Sequence, residues 1–149
     1  MNPKIHRKIR LEPVPKGAVK NRVFNGMVMS YTPHATAKAM KAIREALDKR
    51  PITPFEPLIP LKLTVTFWRQ KSKWLKRRES MPYRKPDLDN FLKLLLDALN
   101  GRAFADDAQI TTIIARKRWT PDSQAVKRGK DKPPKSKGYI EFTIVEDKI

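Results

Sequence analysis

The alternation of apolar and polar positions is clearest at Leu61, Leu63, Val65 and Phe67, with Lys62, Thr64, Thr66 and Trp68 between them. A two-residue period of this kind predicts a strand with one buried face. Similar patterns predict strands at Ala108–Trp119 and Tyr139–Val145, and a short one at Ile9–Val14 that ends in Pro13-Val14-Pro15-Lys16-Gly17. Between Arg22 and Tyr31 the apolar alternation is interrupted by Asn25-Gly26, a strong hairpin signal. Two segments carry the longer helical period instead. From Ala35 to Asp48 the apolar positions are Ala35, Ala39, Ile43, Ala46 and Leu47, with Lys38, Lys41, Arg44 and Glu45 on the remaining face. After Pro86 a second helix is predicted from Leu88 to Leu99, with Leu88, Phe91, Leu92, Leu95 and Leu99 as its stripe. Leu94 and Leu96 widen that stripe, so this helix is expected to be covered on more than one side, a subunit contact included. Asn100-Gly101 provides its stop.

This order predicts an α+β fold: one domain over residues 1–149, a mainly antiparallel or mixed sheet, and two principal helices packed on it. A proline-rich connector spans Pro51 to Pro60. Two basic stretches without periodicity, about 69–86 and 120–137, read as long loops.

Composition changes the picture chiefly through charge. Lys and Arg number 33 against 15 Asp and Glu, a formal charge of +18 on 149 residues. The first basic loop holds Arg69, Lys71, Lys73, Lys76, Arg77, Arg78, Arg84 and Lys85, with Trp74 and Tyr83 interleaved. Cationic side chains beside stacking rings favour a nucleic-acid partner over a merely solvated face. The second tract, Arg116 to Lys137, has the same sign. With no cysteine and two histidines, thiolate sites, disulfides and histidine-rich zinc sites are excluded or disfavoured. No apolar run is long enough for a membrane span and the N-terminus lacks a signal-peptide pattern, so a cytoplasmic location is expected.

Against this basic background the acids concentrate. Asp87, Asp89 and Asn90 open the second helix, and Asp106-Asp107 follow shortly after its end. Each has a plain structural reading: Asp87 as a helix cap, Asp89 and Lys93 as an i,i+4 pair, and Asp106-Asp107 as a turn. Asp89, Lys93 and Asp97 share one helix face. Taken together, the acids also suit a Mg²⁺ or Mn²⁺ site, since hard cations bind carboxylate and phosphate oxygens at once. Spacing alone leaves open whether Asp106-Asp107 reach Asp87 and Asp89.

The series Asp87-Leu88-Asp89-Asn90-Phe91-Leu92-Lys93, Asp97-Ala98-Leu99 and Asp106-Asp107-Ala108-Gln109-Ile110 resembles the signature of RusA-type Holliday-junction resolvases. Pro13-Val14-Pro15-Lys16-Gly17 and Tyr31-Thr32-Pro33 resemble the phage and Gram-positive branch of that family. The resemblance implies a homodimeric, Mg²⁺-dependent endonuclease, with Mn²⁺ a substitute, that cuts four-way DNA junctions by paired incisions. It implies Asp87, Asp89, Asp107 and Lys93 as catalytic residues, and Asp106 as a companion metal ligand. After Lys16-Gly17 the chain departs from the family pattern, which leaves Lys20 and Arg22 beside Lys16 as DNA-facing candidates of the N-terminal half. A non-catalytic basic nucleic-acid-binding protein, or a duplex nuclease without junction selectivity, would share the charge pattern.

Overall fold

The computed structural model describes residues 3–17, 20–31, 33–72, 79–125 and 137–149. Four strands form one sheet: β1 (Lys4–Ile9), β4 (Leu61–Arg69), β5 (Ile110–Trp119) and β6 (Tyr139–Glu146), in the order β1-β6-β4-β5. The hairpin strands β2 (Lys20–Phe24) and β3 (Met27–Tyr31) form a separate two-stranded sheet. Helices α1 (His34–Lys49) and α2 (Leu88–Leu99) match the predicted pair, and α3 (Pro121–Ala125) is a short addition.

β1 and β4 both run antiparallel to β6, but β4 and β5 are parallel. Parallel neighbours need a crossover, and α2 supplies it. The sheet is therefore mixed, with a β4–α2–β5 unit at one edge. Along β4 burial alternates strictly, with Leu61, Leu63, Val65 and Phe67 at 0–1% exposure. These residues meet Ile140, Phe142 and Ile144 of β6 and Ile5 and Ile9 of β1 in one core. Ala39, Ile43 and Leu47 of α1 and Phe91, Leu94, Leu95, Ala98 and Leu99 of α2 close it from the helical side. Leu94 is thus a core residue, and the wide apolar surface of α2 is explained by its contacts with both the sheet and α1. Gly101 ends α2 with φ +79, a left-handed conformation that glycine adopts without a Cβ clash.

The first strand differs from the expectation: it is Lys4–Ile9, not Ile9–Val14. Pro13 and Pro15 lack the N–H that a ladder needs. The segment after Ile9 instead runs across to α2, where the Lys16 amide donates to the Asn90 carbonyl at 2.9 Å. Arg116 to Trp119, counted above within the second basic tract, belong to β5. The β2–β3 turn has positive φ at both Asn25 (50°) and Gly26 (75°), the type I′ pattern that matches strand twist. Val23, Phe24, Met27, Val28 and Met29 of this hairpin are 55–71% exposed. Among the described residues no helix is long and apolar enough to cross a membrane.

Candidate active site

Asp87 stands immediately before α2 with extended backbone (φ −69°, ψ 144°). That is an N-cap geometry, yet its carboxylate makes no capping bond. It pairs instead with Lys85 Nζ at 2.8 Å. The Lys85 ammonium, by hydrogen bond and charge, and more distantly Lys117 hold the Asp87 carboxyl below the usual carboxylate range. Asp89 sits in the first turn and faces Lys93 Nζ at 3.4 Å, a loose i,i+4 pair. Both acids act on Lys85, so the two carboxylates lie on one exposed patch.

The second acidic pair is built differently. Asp106 accepts from the Ala108 amide at 2.9 Å and caps a short 3₁₀ turn, Asp107–Gln109. Gln109 returns the favour by accepting from the Ala105 and Asp106 amides, while its amide group donates to the carbonyls of Glu56 and Ile59. Asp106 therefore has a structural task as a capping residue. Asp107 next to it has only its own backbone amide to favour the ionised form. Hydrogen bonding to Asp106, burial, and the negative charges of Asp106 and Asp97 push its carboxyl upward. The Ala108 amide does the opposite for Asp106.

A raised acid binds its proton more tightly folded than unfolded, so its ionisation opposes folding once pH exceeds the carboxylate range. Asp107→Asn should then raise Tm at pH 7 by up to about 3 °C, an exposed like-charge contact being worth at most about 1 kcal/mol. The gain should shrink as pH falls through the raised folded-state value and vanish below the ordinary value of 3.8, where Asp107 is protonated in both states. Calorimetry at pH 7 and pH 3.5 checks this; an unchanged or lower Tm at pH 7 contradicts it.

The crossover decides which acids meet. Pro86 lies beside the far end of β5, where Lys117 Nζ donates to its carbonyl at 2.9 Å, so α2 starts there. The 12-residue helix then runs back about 18 Å toward the start of β5. Asp107, just ahead of β5, is seven strand residues or about 23 Å from the level of Lys117. A single chain thus places Asp87 and Asp89 at one end of α2 and Asp106 and Asp107 at the other. Among the described residues no three acidic or histidine side chains converge as a metal cage. Aspartate oxygens suit a hard divalent cation, and one chain supplies them as two separated halves.

The predicted DNA-facing residues divide as well. Lys85 and Arg84 are exposed, Arg84 pairing with Glu79 at 2.8 Å. Arg22 lies exposed on the hairpin. Lys16 is half-exposed and pairs with Asp97 at 2.7 Å, on the acidic face of α2. Lys20 is in β2. Lys73, Lys76, Arg77 and Arg78 lie outside the described residues. Lys71 corrects the sequence reading. It is 2% exposed, its amide donates to Ser123 Oγ at 2.9 Å and its Nζ to Gln124 Oε1 at 3.2 Å, so α3 buries it away from any polyanion.

Sequence reasoning missed Lys117. Its ammonium donates to the carbonyls of Arg84 (3.0 Å) and Pro86 (2.9 Å). Burial first, and then the nearby Arg69, lower its pKa. One signal was available: a lysine at a half-buried position of a strand.

Residues 11–127 match the family model described as Endodeoxyribonuclease RusA. That span includes α2, both acidic pairs and Lys117. The chain belongs to this family. A curated relative, the crossover junction endodeoxyribonuclease RusA of Lactococcus phage r1t, is 38% identical over 77 residues. The matched stretch is 49% of this chain and 56% of the phage protein, so the chain spans about half the length of that RusA relative.

Proposed function

We propose that this RusA-family chain is a divalent-metal-dependent endodeoxyribonuclease that resolves four-way DNA junctions by paired phosphodiester hydrolysis, working as a homodimer. The observation that carries the reading is the pair Asp87 and Asp89, exposed at the start of α2 among Lys85 and Lys93, in a chain of charge +18. Such a surface attracts a polyanion while its acids retain a place for a cation. Asp87 and Asp89 would hold Mg²⁺ or Mn²⁺ in place of their lysine partners. The cation would supply an activated water and neutralise charge on the scissile phosphate. Lys93, freed from Asp89, is positioned one helical turn away to donate to the phosphate or leaving oxygen. Arg84, Lys85 and Arg22 would follow the backbone on either side.

The separation of the acidic halves supports a site completed between subunits. In a two-fold dimer, Asp107 of one chain can face Asp87 and Asp89 of the other, giving two equivalent sites for two opposed strands. The exposed apolar side chains of the hairpin offer such a dimer a surface to bury.

A labelled synthetic four-way junction, a linear duplex and an RNA, each incubated with Mg²⁺, Mn²⁺ or EDTA, test the reading. Symmetric metal-dependent cuts in the junction alone support it. Binding without cleavage under any metal would leave a non-catalytic nucleic-acid binder, and equal cutting of duplex would remove the junction selectivity. Subunit sharing has its own test in re-associated mixtures of inactive Asp89→Asn and Asp107→Asn chains. A shared site restores one intact centre in each mixed dimer, about a quarter of the wild-type sites. A site within one chain restores none.

A further inference from the structure

Strand β5 does more than form a sheet edge: two of its side chains clamp the loop that delivers Asp87. Lys117 and Trp119 are two apart and so share one face of the strand. In register they lie opposite Phe67 and Arg69 of β4, at the rim of the core beneath α2. Trp119 Nε1 donates to the Glu79 carbonyl at 3.0 Å. Lys117 Nζ donates to the carbonyls of Arg84 and Pro86 at 3.0 and 2.9 Å. The Arg69 guanidinium fills the space between the rings of Trp119 and Phe91, 5.9 and 5.6 Å from their centroids. The carbonyls that Lys117 holds flank Lys85 and Pro86, and Asp87 follows at once. Asp87 makes no side-chain capping bond to its own helix, and although its carbonyl accepts from the Asn90 amide at 3.1 Å, the 84–86 backbone leading into it needs a further reason to keep one orientation. A half-buried ammonium bonded to two carbonyls supplies that reason, with charge-assisted bonds stronger than neutral ones.

The geometry points to Lys117 as a positioning residue: its ammonium sets the Arg84–Pro86 backbone so that the Asp87 carboxylate stands beside Asp89, ready for a divalent cation. This rests on the reading of Asp87 as a metal ligand. Groups that orient ligands typically change metal affinity by about 10- to 100-fold when removed.

The test compares full-length wild type with Lys117→Met and Lys117→Arg. Hydrogen exchange across residues 84–90 reads the loop in metal-free protein, and calorimetric titration with Mn²⁺ alone reads the site. Lys117→Met should speed exchange in that segment at least about tenfold and weaken Mn²⁺ binding about tenfold. Exchange in the core strands β4 and β6 should stay as in wild type. Lys117→Arg, whose guanidinium can also donate to two carbonyls, should recover part of both. Unchanged exchange at 84–90 in Lys117→Met overturns the proposal. Equal acceleration throughout the protein also overturns it, because the role would then be general stability. If wild type itself binds no Mn²⁺, the metal reading fails, and the exchange arm still decides whether Lys117 holds the loop.

Discussion

Asp89→Asn should lower junction cleavage at saturating Mg²⁺ by at least about a thousandfold. A ligand carboxylate contributes several kcal/mol to stabilising the transition state, and each 1.36 kcal/mol is tenfold in rate. Fold stability should change little, since Asp89 is exposed and its bond to Lys93 is long at 3.4 Å. Junction affinity in EDTA should hold or improve, because one negative charge leaves a surface that must accept phosphates. A gel-shift titration in EDTA and single-turnover cleavage in Mg²⁺ separate the two effects. Normal cleavage by the variant would remove Asp89 from the site. Loss of binding in step with cleavage would make it a contact residue instead.

The second large effect concerns the platform on which those acids stand. Phe91 lies between Asp89 and Lys93 in sequence, points into the core at 1% exposure, and packs on Phe67 with ring centroids 5.4 Å apart. The same ring also supports the Arg69 guanidinium, 5.6 Å from its centroid. Phe91→Ala should cost about 3–5 kcal/mol through lost burial and the cavity left behind. Single domains are stable by only about 5–15 kcal/mol, so the loss takes a large share of the total. Urea unfolding followed by circular dichroism should show a lower midpoint with an unchanged slope. A loss below about 1 kcal/mol would mean that α2 is not seated on β4 as described.

The local signals that survived in the structure share a physical basis. Leu61 to Phe67 alternate because one face of β4 meets the helices and the other does not. Asn25-Gly26 marks a turn because few residues accept two consecutive positive φ values. α2 was bounded correctly, Pro86 limiting its start and Gly101 its end. The failures came where a residue's role depends on distant chain. Lys71 looks like any other lysine of a basic loop until Ser123 and Gln124 of α3 are seen to enclose it. Asp106 gives no sign in the sequence of the capping bond that it accepts from the Ala108 amide. Lys117 carries no local mark of its two carbonyl partners, which precede it by more than 30 residues.

By itself the sequence determined the two long helices, the hairpin, three of the four sheet strands, the basic charge, the two acidic pairs and, through their joint pattern, the RusA family. Those properties depend on residue type and short spacing, which periodicity, turn geometry and charge report directly. Only the tertiary structure decided how the acids stand relative to one another. Because β5 is parallel to β4, α2 must traverse the sheet, and it carries Asp87 and Asp89 to the end opposite Asp106 and Asp107. Strand direction is set by which crossover buries the apolar face of α2, a choice made by the whole core rather than by any local motif.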